Sequence, residues 1–268
     1  MKTDMILFLG QSNMQGQTER LTETATVDGA LEYRFLTDEL VPLKNPVGEN
    51  ITVTYEKGVD ADINDLPNWL SAHVAGAAVD GNTNLVPSFC RAYIEGTGRR
   101  VVAVHIAKGS TEVEYWAPGQ AGYRAIVTKA AAALKKAGRK NVDRLFCVWL
   151  QGESDAIAAT TKETYKARLT ALKNGLKREL GTDRFCIIKV GAFTGDARDE
   201  VIFAAQEEVC VQDPDFVMLT RITAELLRRK EYLNPFVAGH YGSRGQEVLG
   251  QVAGRNLALL VKGIPFDA

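Results

Sequence analysis

Ser12 occupies a position suited to nucleophilic chemistry, because it follows an apolar run and a glycine in the segment GQSNM, residues 10–14. A serine after a strand can present its hydroxyl for attack, and the amides that follow it can stabilise an anion. Serine is also a common N-cap of helices, so both roles are open. As a nucleophile, Ser12 would need an adjacent general base at neutral pH.

The chain offers three histidines as that base, namely His73, His105 and His240. His105 lies in an apolar run typical of a buried strand, and His73 lies in a polar segment where a surface role is the ordinary expectation. His240 lies in a glycine-flanked segment before the last predicted helix, from which its imidazole can reach the edge of a sheet. We therefore predict that His240 is the general base.

Glu153 is the predicted acid partner of that imidazole, in the segment QGESD at residues 151–155. An acid at this position would fix the tautomer of the ring and stabilise its cation. The alternative for Glu153 is a carboxylate at a helix N-terminus, where the helix dipole favours negative charge. Asp155 is better placed for that capping role, which leaves Glu153 for His240.

The elements that must position these residues are visible as five short apolar runs, which alternate with segments of helical periodicity. The runs cover residues 5–9, 101–107, 145–150, 185–190 and 216–219. Runs that are apolar on both faces are typical of a parallel sheet covered on both sides. The pattern predicts an α/β fold of three layers, in which the polar segments after the strands converge at one edge of the sheet.

One domain of this kind accounts for residues 1–268, with a break in the rhythm at about 18–84. This segment is rich in Asp, Glu, Asn, Pro and Gly and shows little periodicity. We expect it to be an irregular insertion, and long loops of this kind often carry function.

The composition excludes several classes of protein. The 32 basic and 33 acidic residues leave a net charge of −1, whereas a nucleic-acid or anionic-membrane surface usually leaves a basic bias. No two of the four cysteines have a C-x-x-C spacing, so we expect no metal site. We also expect no cofactor, no membrane span and, unless an export signal has been removed, a cytoplasmic location. The oligomeric state is open.

The segments GQSNMQG, AKGST and WLQGESD together resemble the SGNH hydrolase superfamily. More narrowly, they resemble the sialate O-acetylesterase-like domain, which also holds the acetylxylan esterases of carbohydrate esterase family six. The resemblance spans residues 10 to about 249, and GQSNM with QGESD in this order is a fairly specific pair. It implies a flavodoxin-like sheet of five parallel strands and Ser12 as the nucleophile that takes up an acetyl group.

The resemblance also implies an oxyanion hole. A small residue after the second strand supplies one amide in this family, and that position matches Gly109. The Ser12 amide is expected to be the second donor and the Gln151 side chain the third, and losing one such donor typically costs about 10²–10³ in rate. Gln11 is expected to orient the loop at the substrate site.

One position departs from the family pattern. Many SGNH hydrolases carry an Asp three residues before the catalytic His, where this chain has Val237. Some members of the family instead use the Glu of the QGES segment, which matches Glu153. Two arrangements remain open. We favour a Ser12–His240–Glu153 triad, and the alternative is a Ser–His dyad whose ring is oriented by a backbone carbonyl.

Aromatic residues beside the predicted site allow two interpretations each. Trp116 and Tyr115 follow AKGST, and Tyr241 follows His240. Their rings can pack against the apolar face of a sugar or cover a loop against the core. Arg221 and Arg244 can meet a substrate carboxylate, as in sialic acid, or be ordinary surface arginines.

The sequence therefore predicts a serine esterase that removes O-acetyl groups from carbohydrates, of the acetylxylan or acetylated sialic acid type, through an acyl-enzyme. The alternative is a catalytically weak or inactive carbohydrate-binding protein on the same fold, which Val237 favours. A lipase-like or thioesterase role is a third hypothesis, because a fold does not fix its substrate.

Overall fold

The computed structural model describes residues 2–16, 18, 24–49, 83–235 and 237–268. Within these ranges the chain forms one sheet of seven strands in the order β3-β2-β4-β1-β5-β6-β7. The strands are β1 Thr3–Gly10, β2 Ala30–Arg34, β3 Glu39–Pro42, β4 Arg100–Ala107, β5 Val142–Leu150, β6 Arg184–Ile188 and β7 Phe216–Thr220. All neighbouring strands are parallel except β3, which runs antiparallel to β2.

The described helices connect these strands. They are α1 Ser12–Gln15, α2 Val86–Thr97, α3 Ala121–Ala137, α4 Glu153–Ile157, α5 Lys162–Leu180, α6 Ala197–Gln212, α7 Thr223–Leu226 and α8 Ser243–Val261. Short 3₁₀ turns occupy Val113–Trp116, Arg139–Asn141 and Lys230–Tyr232. None of the helices in the described ranges combines the length and apolar character that a membrane span requires.

Two hydrophobic cores lie on opposite faces of the sheet, and β1 contributes to both. Met5, Leu7 and Leu9 pack into the core beneath α3, α5 and α6, whereas Ile6 and Phe8 pack into the core beneath α2 and α8. Side chains of a strand alternate between the two faces, so a continuous apolar run fills both cores. This confirms the α/β architecture that the apolar runs predicted.

The prediction of five parallel strands is wrong, because the described sheet has seven strands and is only mostly parallel. The five predicted runs correspond to β1, β4, β5, β6 and β7. The two additional strands, β2 and β3, lie within residues 18–84, where we expected irregular structure. Both are short, and β3 at the edge of the sheet has exposed and half-buried residues, so neither carries the apolar signal of a central strand.

A buried ion pair joins α3 to the segment that follows β3. Lys129 Nζ donates to Glu49 Oε2 at 2.7 Å, and the two side chains are 1% and 2% exposed. Glu49 also accepts hydrogen bonds from the backbone amides of Phe35 and Leu36, both at 2.8 Å. Burial by itself would raise the pKa of the Glu49 carboxyl, but Lys129 holds this pKa below its ordinary value. The carboxylate is therefore charged and depends on its lysine.

We predict that Lys129→Met destabilises the protein by about 3–5 kcal/mol, since it leaves a buried carboxylate without a counter-ion. Urea unfolding at pH 7 measures the effect. Lys136→Met on the same helix is the matched control, because Lys136 is 41% exposed and lies 3.4 Å from Asp38. An exposed pair of this kind contributes about 1 kcal/mol or less. Equal losses for the two variants would contradict the prediction.

Candidate active site

The segments that follow β1, β4 and β5 begin side by side. β1 lies between β4 and β5, and its last residue, Gly10, pairs with Ala107 of β4 and Leu150 of β5. Glycine is required at position 10, because its φ is +150° and a Cβ would lie 2.0 Å from the carbonyl oxygen of Leu150. The register of the sheet thus places α1 next to residues 108–111 and 151–155, at the carboxyl edge where ligands bind in such folds.

Ser12 and His240 are in direct contact at this edge. His240 Nε2 lies 2.8 Å from Ser12 Oγ, and both residues are buried. The other ring nitrogen, Nδ1, lies 2.8 Å from the carbonyl oxygen of Ala238. A carbonyl can only accept a hydrogen bond, so this contact places the proton on Nδ1 and leaves Nε2 free to accept the serine proton. The pair has the geometry of a nucleophile and its general base.

Glu153 lies beside this pair without contacting the imidazole. Its Oε1 accepts a hydrogen bond from Asn13 Nδ2 at 2.8 Å, and its buried Oε2 has no partner in the described part of the chain. Burial raises the pKa of this carboxyl, and the nearby Asp155 raises it further. The sequence left open a Ser–His–Glu triad and a Ser–His dyad oriented by a backbone carbonyl. The contact between His240 Nδ1 and the Ala238 carbonyl is the one that the dyad requires.

The Asn13 side chain, which the sequence did not single out, links the segment of Ser12 to the segment of His240. Besides its bond to Glu153, Nδ2 donates to the Gly239 carbonyl at 3.3 Å, and Oδ1 accepts from the Tyr241 amide at 3.3 Å. Gln246 Nε2, on α8, donates to the Asn13 carbonyl at 2.8 Å. The available signal was the position of Asn13 in GQSNM, beside Ser12, since an amide side chain can donate and accept at once.

The other two histidines are not part of this contact. His105 is buried on β4 and lies 2.9 Å through Nε2 from the carbonyl oxygen of Met14, at the end of α1. Burial lowers the pKa of His105 to about 4, although the bond to Met14 partly offsets this effect. A neutral imidazole on β4 therefore contacts the end of α1 through the Met14 carbonyl. His73 lies outside the described residues.

The three predicted oxyanion donors have different surroundings. The Ser12 amide has no acceptor among the described residues, whereas the Gly109 amide donates to Gln15 Oε1 at 2.9 Å. Gln151 is fully buried, and its Nε2 donates to the Thr111 carbonyl at 2.9 Å and to Asp155 Oδ2 at 2.5 Å. These bonds use both amide hydrogens of Gln151, so in this structure the side chain has none left for an oxyanion.

The Gln11 side chain, predicted to orient the loop, joins α1 to α4. Its Oε1 accepts from the backbone amides of Gly152 at 3.4 Å and Ser154 at 3.2 Å. The side chain is 3% exposed. Gln11 thereby fixes the separation between the segment that carries Ser12 and the segment that carries Glu153.

Trp116 and Tyr241, predicted as substrate-binding residues, are buried and cannot present a ring to a sugar. They are 0% and 1% exposed. The Trp116 indole donates to Thr111 Oγ1 at 3.0 Å and packs edge-on against Trp149. Trp116 packs into the core beneath α3, α5 and α6, and Tyr241 packs into the core beneath α2 and α8. This is the second of the two interpretations for these residues.

The two arginines contact other side chains of the protein. Arg221 forms an ion pair with Glu207, and Arg244 lies over the ring of Tyr232 at 5.3 Å. These contacts correspond to ordinary surface arginines.

The comparison with known families identifies the chain. The family model described as carbohydrate esterase, sialic acid-specific acetylesterase, matches residues 2–257. The chain belongs to this family. The resemblance to sialate O-acetylesterase-like domains is therefore confirmed over nearly the whole length of the chain. No curated protein sequence matches the chain significantly.

Solved structures share the fold of this family member at low sequence identity. A protein from Arabidopsis thaliana is 16% identical, with a TM-score of 0.62 over 96% of this chain and 98% of that chain. NanS is 13% identical, with a TM-score of 0.64 over 97% and 98%. A carbohydrate acetylesterase from Xanthomonas citri is 13% identical, with a TM-score of 0.54, and the match covers 98% of this chain and 57% of that one.

A second buried carboxyl, Asp155, supports the loop after β4. It is 0% exposed, and its Oδ2 accepts from the Val113 amide at 2.8 Å as well as from Gln151. Burial raises the pKa of Asp155 to about 6. Among the described residues no group of three His, Cys, Asp or Glu side chains is arranged to hold a metal ion.

We predict that Asp155→Asn changes the pH dependence of stability. Between the ordinary pKa of 3.8 and the folded value of about 6, only the folded chain keeps the Asp155 proton. The contribution of Asp155 to the free energy of unfolding of the wild type therefore falls as pH rises through this window. The stability difference, wild type minus D155N, should fall by about 2 kcal/mol between pH 4 and pH 7.

Urea unfolding of both proteins at intervals of half a pH unit measures this difference. Parallel curves for wild type and D155N would show that Asp155 has no raised pKa in the folded protein.

Proposed function

We propose that this protein is a serine esterase that hydrolyses O-acetyl esters on carbohydrates through an acyl-enzyme on Ser12. The observation that carries the proposal is the 2.8 Å contact between Ser12 Oγ and His240 Nε2, with Nδ1 of the same ring held by the Ala238 carbonyl. Membership of a family of carbohydrate esterases supports the choice of substrate class. One similar structure is described as a carbohydrate acetylesterase, which supports the same choice.

The proposed reaction has two halves. In the first, Ser12 Oγ attacks the acetyl carbonyl carbon while its proton passes to His240 Nε2. The tetrahedral intermediate then collapses, the bond to the sugar oxygen breaks, and His240 returns the proton to that oxygen. In the second, water attacks the acetyl-enzyme with its proton passing to His240, and acetate leaves as Ser12 recovers its proton.

The oxyanion of the intermediate is assigned to two backbone amides, those of Ser12 and Gly109. The Ser12 amide begins α1 and has no acceptor among the described residues. The Gly109 amide donates to Gln15 Oε1 in this structure. It can donate to the substrate oxygen only after that oxygen displaces the Gln15 side chain. The Ser12 amide can therefore stabilise the developing charge without reorganisation, whereas the Gly109 amide requires the displacement of Gln15.

The imidazole is oriented by the Ala238 carbonyl in this proposal, and Glu153 acts one step away, through Asn13. A carbonyl fixes the tautomer of the ring as a carboxylate does, but it provides a partial charge instead of a full one. Glu153 is thus a positioning residue, and the proposed catalytic residues are Ser12 and His240.

A second function, a catalytically weak or inactive carbohydrate-binding protein, is favoured by one observation. No carboxylate contacts His240 Nδ1 in the described part of the chain, and Val237 stands where many SGNH hydrolases carry Asp. Such a protein would bind an acetylated sugar and release no acetate. An acetate assay therefore separates the two functions.

We expect the wild type to release acetate from at least one of acetylated xylan, O-acetylated sialic acid and acetylated simple sugars. Ser12→Ala should lower this rate about 10³-fold or more, because the acyl-enzyme cannot form. Enzymatic measurement of free acetate, with circular dichroism on both proteins, tests the prediction.

Ser88→Ala is the matched control for the loss of a buried hydroxyl. Ser88 lies on α2, and its hydroxyl donates to the Leu85 carbonyl at 2.9 Å, so its removal should not affect the rate. A folded S12A protein with wild-type acetate release would overturn the serine mechanism, and an inactive wild type would favour the binding protein.

Glu153→Gln separates the dyad from the triad. Gln is isosteric and can still accept the Asn13 hydrogen bond, so we expect kcat/KM on the best acetyl ester to fall less than about tenfold. Loss of a carboxylate that contacts the imidazole costs about 10⁴-fold in a serine protease triad. Steady-state kinetics of E153Q beside the folded His240→Ala variant measure the difference, and a loss of 10³-fold or more in E153Q would establish the triad.

A further inference from the structure

Phe193 is an aromatic residue beside His240 that is only half-buried. Its ring meets the imidazole edge-on, with ring centroids 6.0 Å apart and an angle of 89° between the planes. A Cβ on Gly239 would lie 2.4 Å from the Phe193 ring, so this ring lies directly against the backbone that precedes the histidine. Phe193 is therefore a partly exposed aromatic residue next to the base of the proposed reaction.

The backbone of Phe193 is held by hydrogen bonds to a buried carboxylate. Asp199, in the first turn of α6, accepts from the amides of Phe193 and Thr194 at 3.1 Å each and from that of Gly195 at 2.7 Å. Asp199 itself is 3% exposed. The loop between β6 and α6 is thus fixed to a long helix, and the aromatic ring has a set position relative to His240.

The reaction coordinate determines what approaches this ring. The oxyanion points towards the amides of Ser12 and Gly109, whereas the leaving oxygen must come within about 3 Å of His240 Nε2 to receive its proton. The group attached to that oxygen therefore lies on the His240 side of the ester. In an acetylated carbohydrate, this group is the sugar ring.

We propose that Phe193 binds the sugar ring of the leaving group and so contributes to the specificity for carbohydrate esters. The inference rests on the proposed function. Sugar rings carry faces of C–H groups, which pack well against the faces or edges of aromatic rings. Of the three aromatic residues that the sequence placed in this role, Trp116 and Tyr241 are buried, and the half-buried Tyr115 has Lys108 Nζ over its ring at 4.4 Å. Phe193 is half-buried and lies against the imidazole of the base.

The test compares Phe193→Ala with wild type on two substrates that differ only in the alcohol. One is the acetylated sugar that the wild type hydrolyses fastest, and the other is ethyl acetate, whose ethyl group is too small to cover an aromatic ring. We expect the ratio of kcat/KM for the sugar ester over that for ethyl acetate to fall about five- to tenfold, mainly through KM. Phe193→Tyr should restore the ratio, and Phe193→Leu, which keeps apolar volume without a ring, should not.

Several outcomes would overturn the inference while leaving the esterase activity in place. Equal losses on both substrates would mean that Phe193 only holds His240, and unchanged kinetics on both would mean that it contacts no substrate. A changed preference between ethyl acetate and ethyl butyrate would place Phe193 on the acyl side. F193L provides the same comparison if F193A does not fold. An inactive wild type would instead overturn the proposed function and the inference with it.

Discussion

The hydrogen bonds of the Asn13 side chain are the interaction on which the contact between Ser12 and His240 depends. Ser12 and His240 are 228 positions apart in the sequence, so no local structure sets their 2.8 Å contact. Asn13 is adjacent to Ser12, and its amide binds the carbonyl of Gly239 and the amide of Tyr241, on either side of the histidine. One planar group therefore fixes the imidazole relative to the hydroxyl, since its donor and its acceptor engage the same segment.

The same Asn13 amide explains the position of Glu153. The second hydrogen of Asn13 Nδ2 needs an acceptor in a buried site, and Glu153 Oε1 provides it at 2.8 Å. An unpaired donor there would cost about 1–3 kcal/mol. Burial raises the pKa of the Glu153 carboxyl, and a protonated carboxyl still accepts this bond through its carbonyl oxygen. The arrangement of Asn13 therefore does not depend on a negative charge at Glu153.

The sequence predicts the centre of this fold better than its edge. β1, β4 and β5 are apolar on both faces, which is a strong local signal, whereas β3 lies at the sheet edge with no buried residue. The candidate pair of Ser12 and His240 followed from residue type and the scarcity of histidine. The orienting group did not, because every residue has a backbone carbonyl and nothing in the sequence marks that of Ala238.

The aromatic and amide side chains show a different limit. Trp116 and Gln151 lie in the right segments, but a sequence does not state which side of a loop faces the core. In the structure both are fully buried, and Phe193, which follows a strand with no recognisable motif, lies at the histidine instead. The position of a residue along the chain predicts that it lies at the carboxyl edge of the sheet. The direction of its side chain depends on how several helices and loops pack around that edge.

The hydrogen bond between Gln15 and Gly109 affects how strongly the Gly109 amide binds the ester in its ground state and in the transition state. Gln15 Oε1 is a neutral acceptor on the Gly109 amide, so an ester carbonyl that replaces it exchanges one neutral hydrogen bond for another and gains little. An oxyanion forms a charge-assisted bond with the same amide, which is about twice as strong. In the proposed reaction, the displacement of Gln15 from the Gly109 amide is therefore most favourable when negative charge has developed on the substrate oxygen. The Gly109 amide thus stabilises the transition state more than the bound ester.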